Sequence, residues 1–411
     1  VTTHAALDEI VNSLVASAID RAASPDTDPG TGRAGDITGP TRHAGADTAD
    51  LVRAEDVEGA PAAVAAVSRA DGTVELAVAG RTITFDPAGH LLDEEELVAA
   101  GSDLVDAGTL FDMASVTKVV TTLIAATFIE EGLLDPEAPA AEYAPVTDPR
   151  ITVHQLLTHT SGLPPTLDLW HRDGGRAERF DAIAQAPLRS EPGTAHAYSC
   201  IGFLQLTRIL EALGSAPLPR LARERVLDPA GMRGATWTPD LTRSSVAATE
   251  YQSDPPRGMV RGEVHDETAW SLSTEAADGA GVGNAGLFAT ATDALALGGA
   301  VIGRGAPSLS PQVRQLLLSD QLPAGVDTGA TWHQGFGMRL GPQSSSGRVV
   351  APVAFHSGFT GTWVAADPRS GTVAVLLTNR VHPHRSWFTV EASRKRLTQL
   401  AFGDIEDRET A

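Results

Sequence analysis

Only two of the 31 basic residues are lysines, and one of them, Lys118, lies where a charge is costly. It sits in Phe111-Asp-Met-Ala-Ser115-Val-Thr-Lys118-Val-Val120, with apolar residues on both sides. An unpaired buried ammonium is expensive, so a lysine there is paired or functional. Ser115 precedes it by three positions, at the predicted start of a helix. Residues at i and i+3 share one helical face, which puts the amine within reach of the hydroxyl. The helix N-terminus adds a positive potential and free N–H groups where an oxyanion could form. These are the parts of a serine nucleophile with a nearby base. Alone, the spacing fits an N-capping serine and a snorkelling lysine equally well.

Partners for the pair come from two later segments. Tyr198, one of three tyrosines, lies in His196-Ala-Tyr198-Ser-Cys200 just before a helical stretch. His356 lies in Phe355-His356-Ser-Gly358-Phe359, before a late strand pair. Gly358 would let a ligand approach the backbone closely. Ordinary packing of the tyrosine at a loop–helix junction, and a polar surface histidine, are the competing readings.

The elements that must hold these residues follow from periodicity and turn chemistry. Residues 3–20 predict an amphipathic helix, with Leu7, Ile10, Val11 and Leu14 at helical spacing. Pro25–Ala49, rich in Gly, Pro, Asp and Thr, predicts a long loop. Ala62–Ser68 and Thr73–Phe85 flank Asp71-Gly72, a hairpin signal. A long apolar helix is predicted from Ser115 to Ile129, and helical and loop segments then dominate to about residue 330. Phe359–Ala366 and Thr372–Thr378 predict a second strand pair across a turn, and Trp387–Ala401 a closing helix. Strands near both ends with helices between them predict an α+β fold: one antiparallel sheet flanked by helices from both chain ends, with an inserted helical domain. The expected division is an N-terminal helix and loop (1–56), an α/β domain (57–118 and 335–411) and a mainly helical insertion (119–334).

Ser115-Val-Thr-Lys118, Tyr198-Ser-Cys200 and His356-Ser-Gly358 occur in the order of the three motifs of penicillin-recognising serine enzymes. The third, in its His-x-Gly form, resembles the class C β-lactamase-like branch, which includes DD-peptidase-like proteins, carboxylesterases and acyltransferases. Thr109–Ser115, Gln155–Gly162, Gly262–Asp266, Asn284–Phe288 and Leu376–Arg380 also resemble stretches of that family, so the likeness spans about residues 57–400. The resemblance implies that Ser115 attacks an acyl carbonyl and that Lys118 or the phenolate of Tyr198 takes its proton. Either pKa must then fall toward the working pH. It further implies an oxyanion hole from the N–H groups of Ser115 and Phe359, with His356 lining the adjacent strand. Cys200 departs from the pattern, because the family usually has Asn or Asp there, and a thiol is a poor substitute. That departure favours esters over β-lactams and peptides. A small-ester hydrolase is therefore the leading expectation. An acyltransferase moving an acyl group from an ester to an amine or alcohol in natural-product biosynthesis is the alternative. A β-lactamase, a DD-peptidase and a silent binding protein stand behind these two.

Composition narrows the partners. The 411-residue chain carries a formal net charge of -21, which repels phosphate backbones and argues against nucleic acid. A lone cysteine, Cys200, excludes an internal disulfide and any cysteine-built zinc site. No cofactor or metal is expected; the partners are an acyl donor and, for transfer, an amine or alcohol acceptor. His382-Pro-His384 and His265-Asp266 read as hydrogen-bonded rather than metal-binding residues, and His159 as a backbone partner at a helix end. Gly281–Gly286 formally matches a dinucleotide-binding pattern but follows no strand, and reads as a backbone turn near the pocket. Trp170, Trp270, Trp332 and Trp363 could wall an acyl pocket or pack in the core. The first twenty residues lack a secretory pattern and no apolar run spans a bilayer, so a cytoplasmic location without membrane contact is the expectation. Oligomeric state stays open.

Overall fold

The computed structural model describes residues 2–23, 57–273, 281–343 and 349–403; the predicted loop at 25–49 lies outside them. Its centre is a seven-stranded antiparallel sheet built from β1 (Ala62–Ser68), β2 (Val74–Gly80), β3 (His333–Gln334), β4 (Arg339–Gln343), β5 (Val349–Ser357), β6 (Trp363–Asp367) and β7 (Thr372–Thr378). The spatial order is β2-β1-β7-β6-β5-β4-β3, so strands from the two ends of the chain meet where β1 pairs with β7. The fold is α+β, as the strand signals predict.

Both hairpins form where the turn residues sit. β1 and β2 pair from Ala62↔Gly80 to Ser68↔Val74. Gly72 takes a left-handed φ of 90°, and the Asp71 carboxylate accepts from Thr73 N–H at 2.9 Å. β6 and β7 pair from Trp363↔Leu376 to Asp367↔Thr372. The predicted strand at Phe359–Ala366 begins only at Trp363. Residues 358–362 instead close a tight turn, with Gly358 N–H donating to Thr362 O (2.7 Å) and Gly361 N–H to Gly358 O (3.0 Å). β5 carried no strand signal that stood out from its neighbours, and it is the strand that holds His356.

Side-chain alternation divides the core in two. Ala63, Ala65, Val67, Trp363 and Leu376 face the terminal helices α1 (Thr3–Ala23) and Glu391–Phe402, with Leu7, Ile10, Val11 and Leu14 filling that layer. Ala62, Val64, Ala66, Val364 and Val375 face the other way. There they meet α2 (Thr117–Glu130), α3 (Cys200–Gly214) and α4 (Ala291–Ile302). The closing helix is α5 (Glu391–Phe402) in chain order. α2 is buried from Thr117 through Phe128, which is why it shows no polar face. Among the described residues no helix is long and apolar enough to cross a membrane.

His382 ties the start of the fold to its end. Its Nε2 accepts from the N–H groups of Thr84 (3.1 Å) and Phe85 (3.2 Å), and its Nδ1 lies 3.2 Å from Thr249 O. An acceptor nitrogen cannot carry a proton, and burial pushes this imidazole down to about 3. The unfolded chain would protonate His382 near its ordinary 6.5, so it binds the extra proton first as pH falls. Stability should therefore decline below pH 6.5, by about 1.4 kcal/mol per pH unit for this residue. Urea midpoints at pH 7.5 and 5.5 measure the decline, and His382→Gln, which keeps an acceptor, should flatten it. Equal midpoints for the native chain would contradict this account.

Candidate active site

Ser115 stands on a strained turn clamped from several sides. Phe111–Asp112 pairs with Phe288–Ala289, and Met113 N–H donates to Leu287 O at 2.8 Å. Ala114–Val116 forms a 3₁₀ turn before α2, not the first turn of the α-helix that the spacing predicts. Ala114 takes a φ of 45°, which costs a residue with a Cβ about 1–2 kcal/mol. The strain is held by the buried Asp112 carboxylate, which accepts Ala114 N–H and His265 N–H, each at 2.7 Å. From the sheet side, the Thr360 hydroxyl donates to Asp112 O (2.7 Å) and the Thr362 hydroxyl to Met113 O (3.0 Å). Gly358 sits against the same turn. A Cβ there would lie 2.2 Å from Thr362 Oγ1 and 2.6 Å from Met113 O. The turn between β5 and β6 thus packs directly on the residue before Ser115.

Lys118 is fully buried, while Ser115 is partly open. The Lys118 Nζ lies 3.1 Å from Ser115 Oγ, 2.8 Å from Asn284 O and 3.4 Å from Cys200 Sγ, so three donors meet three acceptors. It is also 5.0 Å from the centre of the Tyr198 ring. Burial presses the amine downward, but the fields of the Cys200, Tyr198 and Asp266 side chains oppose it and leave the amine above its usual value. The expectation of a simple fall therefore needs correction: neighbouring groups that can turn negative hold the proton on this cluster. Burial also pushes the Cys200 thiol up, which keeps it protonated and speaks against Cys200 as a nucleophile. Asp266 is raised by burial and by Glu267, and accepts from Ala269 N–H (2.7 Å) and Asn284 Nδ2 (3.3 Å).

Tyr198 is placed by its neighbours in the chain. Ser199 caps α3 by accepting Gly202 N–H and donates its hydroxyl to Pro164 O at 2.7 Å, while Cys200 N–H reaches Pro165 O. His159 Nδ1 accepts Ser199 N–H at 3.1 Å, and its ring lies 4.5 Å from the Tyr198 ring. The sequence reading of His159 as a backbone partner matches this contact. His356 lies on β5, buried, with its ring 6.2 Å from Tyr198 and Nδ1 3.0 Å from Ser357 O. Burial, Arg339 and Lys118 hold it well below its usual value, so it is neutral. Because a carbonyl only accepts, Nδ1 carries the proton and Nε2 is left as an acceptor. The Phe359 ring stacks on His265 at 5.7 Å, and among the described residues its N–H has no acceptor.

Four contributors were not assigned to the site by the sequence reading. Asp112, Asp266 and Asn284 lie in stretches whose family likeness is visible, but no local spacing pairs them with Lys118. Arg339, whose guanidinium stands 5.5 Å over the Tyr198 ring, carries no sequence signal at all. Of the tryptophans, Trp170 borders a cleft of about 380 Å³ that also holds Asp168, Glu250, Asp266 and Glu267. Trp332 and Trp363 border a separate groove against α5, and Trp270 packs on Arg257. Among the described residues no group of three His, Cys, Asp or Glu could hold a metal. His265 instead pairs with Glu250 at 2.9 Å.

A serine, a buried lysine and a tyrosine meeting beside an antiparallel sheet agree with the sequence profile described as Beta-lactamase, which matches residues 49–397. The chain belongs to the beta-lactamase family. Family members of this kind are serine hydrolases. Among curated relatives, this beta-lactamase-family chain is 27% identical over 312 residues to a protein of Escherichia coli (strain K12) described as "Putative D-alanyl-D-alanine carboxypeptidase", covering 67% of this chain and 70% of that one. Among solved structures it is similar to EstCE1, titled a hydrolase with promiscuous acyltransferase activity. The TM-score is 0.66 at 18% identity, over 97% of this chain and 99% of that one. It is also similar to the D-amino acid amidase of Ochrobactrum anthropi SV3, with TM-score 0.61 at 18% identity, over 83% and 94% of the two chains. At these identities the structural likeness concerns the fold.

The clamp on the turn is open to test by two substitutions. Asp112→Asn places an amide donor against one of two buried N–H groups and should cost about 1–3 kcal/mol. Gly358→Ala forces a Cβ into Thr362 and Met113 O and should cost a similar amount, about 1–3 kcal/mol. Urea denaturation reads both; wild-type stability in either variant would show that the turn is not held as described.

Proposed function

We propose that the protein is a serine acyl-enzyme hydrolase acting on small esters. The reading is carried by one contact, the 3.1 Å between Lys118 Nζ and Ser115 Oγ at the open side of the strained turn. Ser115 Oγ attacks the ester carbonyl and its proton passes to the Lys118–Tyr198 pair. The negative charge on the carbonyl oxygen is received by the N–H groups of Ser115 and Phe359. The carbon–oxygen bond to the alcohol then breaks as the pair returns the proton to that oxygen. Water repeats the sequence on the acyl-enzyme and releases the acid. His356, neutral and beside Tyr198, orients the phenol or the substrate.

Cys200 supports esters over amides. A neutral thiol next to Lys118 offers a weak donor where an amide substrate needs a strong donor–acceptor group to hold it. A second reading, acyl transfer to an amine or alcohol, is favoured by the likeness to EstCE1 along nearly the whole chain. The two differ only in what meets the acyl-enzyme, so the acyl donor is common to both.

Intact mass after treatment with a fluorophosphonate should show one adduct, absent from Ser115→Ala; an equal adduct on that variant would remove the proposal. Lys118→Met and Tyr198→Phe should each lower p-nitrophenyl ester turnover by about 10²–10⁴-fold. Product analysis with and without an added alcohol separates transfer from hydrolysis, identical products ruling out transfer. For Cys200, nitrocefin turnover should be undetectable in the native chain and rise in Cys200→Asn while ester turnover persists. Native nitrocefin turnover as fast as ester turnover would reverse the order of substrates.

A further inference from the structure

Arg394 is a half-buried charge that the chemistry above leaves unused. It lies in Arg394-Lys395-Arg396 on α5, a run that reads in sequence as a solvated polar face, and Lys395 and Arg396 are indeed exposed. Arg394 between them is half-buried. Its Nε is covered with no hydrogen-bond partner, and among the described residues it forms no ion pair. Burial and the nearby Arg380 push its guanidinium down to about 10, with Glu391 and Glu58 opposing from beyond ion-pair distance. A long arginine on a helix surface can usually carry its whole guanidinium into solvent at little cost, so a covered and unpaired Nε is an exception. The arrangement therefore calls for a reason.

The acceptor that Arg394 does reach supplies one. Its Nη2 donates to Gly358 O at 3.5 Å. That carbonyl already takes Gly361 N–H at 3.0 Å, and it belongs to the peptide whose other end is Phe359 N–H. A cation at a carbonyl oxygen draws electron density toward that oxygen and leaves the N–H of the same peptide more positive, the effect being stronger where water is excluded. It also resists rotation of the peptide plane. Two further guanidiniums stand nearby without doing this: Arg339 Nη1 donates to Ser357 Oγ, and Arg380 Nη1 donates to Arg385 O and Phe388 O.

We propose that Arg394 is a positioning residue that fixes and polarises the 358–359 peptide from behind, so that Phe359 N–H meets the developing oxyanion already oriented and strengthened. The inference rests on the acyl-enzyme reading, with Phe359 N–H as an oxyanion donor. It adds a residue on the C-terminal helix, remote from substrate, whose effect appears only when negative charge forms on the carbonyl oxygen.

The test uses the full chain, p-nitrophenyl butyrate and phenylboronic acid, which captures the serine as a tetrahedral anion. Fluorophosphonate labelling of the native chain at Ser115 comes first; its absence would overturn the acyl-enzyme reading and this inference with it. With labelling intact, Arg394→Met should lower kcat by about tenfold, less than the loss on deleting an oxyanion donor outright. KM should stay within about twofold, and boronate affinity should weaken by the same factor as kcat. Arg394→Lys, which keeps the charge, should recover most of the loss, and the exposed Lys395→Met should match the native chain. A merely structural arginine would instead lower the melting temperature and the active fraction while leaving boronate affinity per active site unchanged. That result, or native kcat in Arg394→Met, overturns the inference. Should Arg394→Met fail to fold, Arg394→Lys and Arg394→Gln decide it, and equal kcat and boronate affinity in those two variants counts against it.

Discussion

The rest of this structure depends on the burial of one amine. Lys118 has no exposed surface, and its three hydrogen-bonding directions end on a serine hydroxyl, a thiol and a backbone carbonyl. Among the described residues no carboxylate pairs with it directly. Asp266 acts through Asn284, whose amide reaches the acid while its carbonyl takes the amine. A buried cation so placed is costly to assemble and cannot leave for water. Its proton is therefore traded among a few neighbours, which is the condition a proton-transfer site needs.

Keeping the serine in front of that amine requires a backbone that resists relaxation. Ala114 has a conformation that an alanine rarely adopts, and one carboxylate, two threonine hydroxyls and the close seat of Gly358 hold it there. The carboxylate is local, whereas the threonines and the glycine come from the turn between β5 and β6, far along the chain. The strained turn is thus stabilised by tertiary contacts, and it can exist only once the sheet, α2 and the 264–266 segment have met.

Charge is divided across the site. Acidic side chains gather in the cleft beside Asp266, while guanidiniums from β4, α5 and the segment after β7 surround the turn between β5 and β6. A carbonyl at Ser115 would lie between the two fields, with its oxygen toward the positive side. Such a gradient favours charge build-up on that oxygen without any group having to move.

Much of this was legible in residue order, for reasons of local physics. The hairpins follow from Asp71-Gly72 and from the run at 367–371, because turns are written in adjacent residues. The terminal helix follows from the spacing of Leu7, Ile10, Val11 and Leu14. The proximity of Ser115 and Lys118 follows from a three-residue step, and the family likeness from three motifs in order. Tertiary structure alone decided the rest. The predicted α-helical start at Ser115 became a 3₁₀ turn because Thr360 and Thr362 bind its backbone from afar while the Asp112 carboxylate also holds His265 N–H. The strand expected at Phe359 became a turn because Gly358 and Gly361 close on Thr362 and on Gly358 O. The direction of the Lys118 pKa, the neutrality of His356 and the covering of Arg394 Nε depend on which groups face each other in the folded chain. Short-range patterns encode backbone preference and the faces of single elements, whereas electrostatics at a buried site is a property of packing and exists only after the chain has folded.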